Sequence, residues 1–220
     1  MINKFMGDGI FAFFNAPIFA CPNHAERACQ AALAAFDALE ELKAHPPAGA
    51  PAEELWLLSM RVGLATGTVF VGDYGSDTKL DYTAIGDSVN LAARLEPANK
   101  VFGTRIALPE STHSLAGDRF AFRRLGLIQV VGKTEGVPVY ELLGPAGRVS
   151  EQLLKHAEVF AQAVEDFETR QFEKARSGFE QCRTLRPDDT CAERYLQMIA
   201  DLEAHPPGDD WLPVIELTTK

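Results

Sequence analysis

Apolar residues recur at two different spacings along this chain, and the change of spacing divides it near Gly144. Before that point, short apolar runs alternate with turns that contain glycine and aspartate, which is typical of strands. One longer segment, from His24 to Lys43, follows Asn23, which can cap a helix, and repeats apolar residues three or four positions apart. That spacing predicts a core-facing helix. Beyond Gly144, three stripes at helical spacing predict three further helices, so the pattern indicates an α+β fold with a small helical tail.

The segment DYTAIGDSVNLAARLE, residues 81–96, reads as a strand, a break and a helix. Its first half suits a pleated surface, and either Asp87 or Ser88 can cap the helix that follows. Three polar side chains fall near this corner: Thr83, Asn90 and Arg94. Residues four apart share one helix face, so Asn90 and Arg94 lie together. From spacing alone, the segment is either an ordinary structural corner with solvated side chains or a binding site.

The chain opens with MINKFMGDGIFAFF, in which two apolar runs flank Gly7-Asp8-Gly9. An Asp-Gly pair between apolar runs is a strong signal for a β-hairpin. On this local pattern Asp8 is a turn-forming residue and needs no further role.

The composition argues against several classes of function. The formal net charge is -10, whereas a nucleic-acid-binding domain normally carries a basic face. The four cysteines lack the CxxC spacing of a metal site and do not resemble a disulfide scaffold. No segment resembles a signal peptide, and no apolar run approaches the ~18 residues of a membrane helix. We therefore expect a cytoplasmic chain with no nucleic-acid partner, and a membrane anchor stays open for a full-length parent.

Together, two of these segments resemble the signature of the class III adenylate and guanylate cyclases. That family carries a Lys-Phe-x-Gly-Asp hairpin, which stands here as KFMGD at residues 4–8, and a strand-to-helix stretch that matches residues 82–94. The resemblance covers residues 1 to about 143. It implies a ferredoxin-like, mostly antiparallel sheet with flanking helices, and an active site at the interface of a dimer.

By this resemblance, five side chains act in converting ATP to 3′,5′-cyclic AMP and pyrophosphate. Lys4 and Thr83 read the purine, Asn90 orients the ribose and the reacting phosphate, and Arg94 steadies the transition state. Asp8 helps to hold two Mg²⁺ or Mn²⁺ ions, which prefer hard oxygen ligands. A lysine ammonium only donates, which fits adenine N1 and not guanine N1–H. We expect ATP as the substrate, although a threonine hydroxyl both donates and accepts and so discriminates less sharply than a carboxylate.

A further substrate-binding residue is expected between the last two predicted strands. The family usually carries there a lysine that reaches the triphosphate, at the position of Val131 in this chain. Lys133, two residues on, is long and flexible enough to substitute for it. The alternative is that Lys133 is a solvated turn residue.

Residues 144–220 resemble a single tetratricopeptide-like unit, with two helices around a turn at Arg170-Gln171 and then Pro187-Asp188-Asp189. One repeat does not bury its own apolar faces, so this tail must pack on the preceding domain or on a partner. A plain helical covering of the domain explains the same pattern. We expect a cyclase domain at 1–143 and a helical tail at 144–220.

The family domain normally begins before the position of Lys4, with a strand that bears a second metal-binding aspartate and with a phosphate-cradling turn. These are not found in the 220 residues, so a homodimer would have Asp8 alone for two metal ions. We expect the isolated chain to be inactive or weak. A heterodimer with a complete cyclase subunit would form one intact site. The alternative function is a non-catalytic nucleotide-binding or dimerisation module that pairs with such a subunit.

Overall fold

A computed structural model describes residues 1–76, 78–129, 136–208 and 210–216 of the chain. The strands are β1 (Ile2–Met6), β2 (Gly9–Ala12), β3 (Val62–Gly63), β4 (Phe70–Ser76), β5 (Lys79–Ile85), β6 (Ile106–Pro109), β7 (Phe120–Gln129), β8 (Val137–Pro145) and β9 (Val214–Glu216). The helices are α1 (His24–Ala44), α2 (Ala52–Leu57), α3 (Asp87–Phe102), α4 (Glu110–Ala116), α5 (Glu151–Glu168), α6 (Phe172–Leu185) and α7 (Thr190–Ala204). The predicted α+β class with a helical tail is confirmed.

The main sheet has five strands in the order β3-β6-β8-β7-β9. Its centre is antiparallel, with β8 between β6 and β7, whereas β3 and β9 join the two edges in parallel. Two antiparallel hairpins, β1–β2 and β4–β5, stand apart from it as two-stranded sheets. Four of the six pairings between described strands are therefore antiparallel, as the sequence predicts.

Helix α3 packs so closely on β3 that only glycine fits at Gly63. A Cβ atom there would lie 2.2 Å from the backbone oxygen of Ala92 and 2.5 Å from the backbone nitrogen of Glu96. The buried Asn99 adds a polar link, since its Nδ2 donates to the backbone oxygen of Val62 at 3.0 Å. These contacts hold α3 against the edge of the main sheet.

The ends of α3 differ from the sequence prediction. Helix α3 begins at Asp87 with Gly86 as its N-cap, and it shows no side-chain capping bond. It also continues through Pro97 to Phe102, although proline usually ends a helix. Burial outweighs that cost, because Ala98 and Phe102 on the last turns are completely enclosed.

The segment before β3 also differs from the prediction. Residues 45–54 are rich in proline and alanine and lack periodicity, which predicts a surface loop, and the residues from Leu55 predict a strand. In the structure, α2 spans Ala52–Leu57. Two acidic residues, Glu53 and Glu54, lie in its first turn, where the helix dipole favours negative charge. The strand that follows is only two residues long.

The helical tail shares one hydrophobic core with the rest of the chain. Buried residues of α3 and β7 lie in the same cluster as residues of α5, α6 and α7. The buried Tyr195 hydroxyl donates to the backbone oxygen of Leu125 at 2.8 Å, directly beside Gly126. Gly126 has φ +109°, and a Cβ there would lie 2.0 Å from that hydroxyl. The chain then returns to the sheet, where β9 pairs with β7.

A buried ionic cluster lies at this junction. Arg123 of β7 donates to Glu141 of β8 and to Asp189, the N-cap of α7, with both N–O distances 2.8 Å. The same Asp189 oxygen accepts from His156 Nε2 of α5 at 2.8 Å, and its other oxygen accepts from the backbone N–H groups of Cys191 and Ala192. The Arg123 side chain is 1% exposed. One carboxylate therefore joins the sheet to two helices of the tail.

We expect part of the chain's acid sensitivity to come from Asp189. Burial alone would raise the pKa of this carboxyl, but the hydrogen bond from His156 and the charge of Arg123 outweigh it and lower the pKa from 3.8 to about 2. A carboxyl with a lowered folded pKa stabilises the fold above its unfolded pKa and loses that contribution as pH falls towards the folded value. The contribution is about 2 kcal/mol of unfolding free energy. It should disappear between roughly pH 4 and pH 2.

Urea unfolding measured from acid to neutral pH checks this expectation. The Asp189→Asn variant should lose less stability than the wild type across that window, since the substituted amide does not titrate. Asp188→Asn is the matched control. The Asp188 side chain is adjacent in sequence but 80% exposed, so its replacement should leave the dependence of unfolding free energy on pH unchanged. Equal acid sensitivity in the wild type and Asp189→Asn would contradict the assignment.

Within the described residues, no helix has the length and apolar character needed to cross a membrane.

Candidate active site

The strand β1 lies beside β5, which brings Lys4 and Thr83 to neighbouring strands. The Lys4 ammonium lies 3.5 Å from the carboxylate of Asp81, two residues before Thr83. One position earlier on β1, Asn3 bonds to the same strand: Thr83 Oγ1 donates to Asn3 Oδ1 at 2.9 Å, and Asn3 Nδ2 donates to the backbone oxygen of Tyr82 at 2.5 Å. The two residues expected to read the base therefore lie on two strands that contact each other, although they are 79 positions apart in sequence.

Thr83 is accessible from the hairpin that carries it. Its cross-strand partner on β4 is Gly72, which has no side chain to cover it. Both Thr83 and Lys4 are half-buried, and each has a polar neighbour, Asn3 for Thr83 and Asp81 for Lys4. This combination suits a residue that bonds to a base edge.

Helix α3 carries Asn90 and Arg94 on its first two turns, directly after β5. The turn is tight, since a Cβ at Gly86 would lie 3.2 Å from the backbone oxygen of Thr68. The Asn90 backbone N–H donates to the Gly86 carbonyl at 3.3 Å, while the Asn90 side chain is exposed. Arg94 is half-buried. Because α3 is anchored on β3 and on the tail, the helix that holds both side chains is rigidly placed.

Asp8 lies at the exposed tip of the β1–β2 hairpin, in the turn that starts at Gly7 with φ +64°. A carboxylate is a suitable ligand for Mg²⁺ or Mn²⁺, so Asp8 fits one position of a metal site. Among the described residues, however, no three His, Cys, Asp or Glu side chains gather into a metal-binding group. Asp8 is therefore a candidate for one ligand of a metal site, and a metal pair needs further oxygen ligands.

Lys133 lies in 130–135, outside the described residues. Conversely, sequence reasoning overlooked Asn3 and Asp81, which contact Thr83 and Lys4. Their position next to the two predicted base-reading residues was the available signal. Neither contact follows from local spacing, since each joins strands about 80 residues apart.

Comparison with known proteins decides the family. The family model for the adenylate and guanylate cyclase catalytic domain matches residues 4–144, which include the β1–β2 hairpin and the strand-to-helix corner. The chain belongs to this cyclase family. The predicted family is thereby confirmed, and the cyclase domain accounts for most of the main sheet and for α3.

Cyclases of both base preferences are among the similar proteins. Adenylate cyclase 1 of Rhizobium meliloti is 38% identical over 143 residues, which cover 65% of this chain and 21% of that protein. A bacterial light-regulated adenylyl cyclase of known structure matches 71% of this chain and 42% of its own, with TM-score 0.55 and 29% identity. The guanylyl cyclase Cya2 matches 67% of this chain and 72% of its own, with TM-score 0.54 and 29% identity. The cyclase fold predicted from the sequence is thus confirmed, and the chain spans about a fifth of the first relative's length.

Proposed function

We propose that the chain acts as an adenylate cyclase subunit, which converts ATP to 3′,5′-cyclic AMP and pyrophosphate for intracellular signalling. The observation that carries this proposal is the junction of β1 and β5, where Lys4 and Thr83 stand on neighbouring strands just before α3. The similarity to named adenylate cyclases supports the same activity.

In the proposed reaction, the ribose 3′ oxygen attacks the α-phosphorus and the bond to pyrophosphate breaks. Lys4 and Thr83 hold the base, so that the ribose is presented to α3. The Asn90 amide orients the ribose and the reacting phosphate, and the Arg94 guanidinium stabilises the negative charge that develops on the phosphoryl oxygens. Bound Mg²⁺ or Mn²⁺ would lower the pKa of the attacking hydroxyl and neutralise the leaving group, with Asp8 as one ligand.

The active assembly in this proposal is a dimer. Both small hairpins expose large apolar side chains in cross-strand pairs. Phe5 and Ile10 face each other on β1–β2 at 71% and 61% exposure, and Phe70 and Ile85 do so on β4–β5 at 74% and 47%. Exposed apolar patches of this kind mark interaction surfaces. A second cyclase subunit, identical or complete, would cover these hairpins and add metal ligands.

A second candidate function is a non-catalytic nucleotide-binding or dimerisation module. The exposed apolar pairs on the two hairpins favour it, because a dimerisation surface of this kind needs no metal ligands. Under either function, we propose that residues 1–143 form the cyclase unit. Residues 144–220 form a tetratricopeptide-like tail that packs against this unit through the hydrophobic core shared with α3.

Cyclic AMP formation from ATP in the presence of Mn²⁺ tests the proposal. We expect little product from the 220-residue chain alone. We expect clear product when it is mixed with a complete cyclase subunit whose own Asn and Arg have been replaced, because Asn90 and Arg94 then complete one site. No product above the background of that subunit, together with measurable ATP binding by the chain, would favour the non-catalytic module.

A further inference from the structure

The side chain of Asn3 forms a closed link between the first hairpin and β5. Asn3 Nδ2 donates to the backbone oxygen of Tyr82 at 2.5 Å, and Asn3 Oδ1 accepts from Thr83 Oγ1 at 2.9 Å. Both bonds are made by one half-buried amide to two consecutive residues of β5. Asn3 therefore fixes the hydrogen-bond partner of the Thr83 hydroxyl, and it lies on β1, the strand that also carries Lys4.

The directions of these two hydrogen bonds follow from the chemistry of the groups. A backbone carbonyl only accepts, so the Asn3 NH₂ group must face Tyr82, and the amide oxygen must face Thr83. An amide oxygen also only accepts, so Thr83 must donate its single hydroxyl hydrogen to Asn3. The Thr83 oxygen is then left with lone pairs alone for any third group, such as a bound ligand.

We propose that Asn3 is a specificity-determining residue, which makes Thr83 a pure hydrogen-bond acceptor and thereby selects a 6-amino purine over a 6-oxo purine. This inference rests on the proposed function, since it assigns the base preference of that site. A freely rotating threonine hydroxyl would accept from the amino group of adenine or donate to the oxo group of guanine equally well. The bond to Asn3 removes the second choice.

Lys4 completes the pattern on the same strand. Its ammonium carries three donors and no acceptor, and Asp81 holds it at 3.5 Å beside β5. A donor from Lys4 on β1 and an acceptor at Thr83 on β5 match the chemistry of the N1 acceptor and the 6-amino donor of adenine. Guanine presents N1–H and O6 at these positions, so both pairs would be mismatched. Asn3 makes Thr83 the acceptor of this pair, and Lys4 is the donor because an ammonium has no acceptor.

The expected effect is a change in preference and not a general loss of binding. One hydrogen bond at a half-exposed site corresponds to roughly five- to tenfold in affinity. The Asn3→Ala variant should therefore lower the ratio of ATP to GTP affinity by about that factor, chiefly by improving GTP binding. A merely structural role for Asn3 would weaken both nucleotides equally and leave the ratio unchanged.

The test compares kcat/KM for cyclisation of ATP and of GTP in Mn²⁺, in the assembly with a complete cyclase subunit that lacks its own Asn and Arg, because the 220-residue chain supplies only one half of the proposed site. The ratio of the two kcat/KM values follows the ratio of the two affinities. The variants are Asn3→Ala, Thr83→Val and the double variant. We expect Thr83→Val to lower the ratio as well, and the double variant to match Thr83→Val, because Asn3 acts only through the hydroxyl. Asn23→Ala is the matched control, since Asn23 lies on a different segment and contacts Glu26.

Asn3→Leu is a second variant if Asn3→Ala does not fold. Leucine has about the shape of asparagine but no acceptor for the Thr83 hydroxyl, so this variant should lower the ratio by the same factor. An unchanged ratio in Asn3→Ala or Asn3→Leu, or a further change in the double variant, would overturn the role of Asn3 alone. Absence of product from both nucleotides in the wild-type assembly would overturn the proposed function, and the role of Asn3 with it.

Discussion

Replacing Arg94 by alanine should lower cyclic AMP formation by roughly 100- to 1,000-fold in the assembly with a complete cyclase subunit that lacks its own Asn and Arg. The guanidinium is proposed to act on charge that appears only as the α-phosphoryl group is transferred. Its loss should therefore reduce kcat much more than it raises the KM for ATP. Initial rates at a series of ATP concentrations, with Mn²⁺ in excess, measure both parameters.

Lys100→Ala is the matched control for Arg94→Ala. Lys100 is an exposed cation on the same helix, near its C-terminal end and remote from the strand-to-helix corner. The Lys100→Ala substitution removes one positive charge from α3, as Arg94→Ala does, but does not alter the proposed site, so activity should stay within about twofold. Equal losses of cyclic AMP formation in the two variants, or a loss below tenfold in Arg94→Ala, would contradict the proposed role of Arg94 in the reaction.

Replacing Arg123 by methionine should destabilise the chain by about 3–5 kcal/mol. Arg123 is the shared cation of a buried cluster, and its removal leaves the carboxylates of Glu141 and Asp189 without their positive partner in the core. The cost comes chiefly from those uncompensated buried charges and only partly from the lost attraction. Urea unfolding at neutral pH, followed by circular dichroism, measures the change.

The control for Arg123→Met is Arg61→Met. Arg61 forms an ion pair with Glu96 at the same N–O distance of 2.8 Å, but both side chains are about 40% exposed. A surface pair of this kind contributes at most about 1 kcal/mol. Similar losses in the two variants would show that the buried cluster does not join the tail to the sheet in the way we infer.

How far the sequence predicts this fold depends on how local each feature is. The helix at His24–Lys43 and the hairpin around Asp8 lie where the pattern places them, because spacing and turn residues act over only a few positions. The end of α3 lies beyond the point that the sequence predicts, because Pro97 and Asn99 are residue types that usually end a helix. Tertiary burial of Ala98 and Phe102 carries the helix past both.

The candidate site likewise combines local features, which the sequence predicts, with contacts between distant residues, which it does not. Asn90 and Arg94 follow from spacing on one helix, and their roles remain predictions of the family resemblance. The link from Asn3 to Thr83 could not be predicted, because it depends on β1 lying beside β5. Lys133, which lies outside the described residues, stays a prediction, and so does the division of the chain at residue 143.

By itself, the sequence determined the α+β class and the cyclase family, and it predicts the residues of the base-reading and transition-state half of a site. The tertiary structure alone decided which partner orients Thr83, how Arg123 and Asp189 join the sheet to the tail, and that β9 returns to the sheet beside β7. The physical reason is distance along the chain. Periodicity and turn chemistry operate within one or two helical turns, whereas these contacts join residues that only the packing of whole elements brings together.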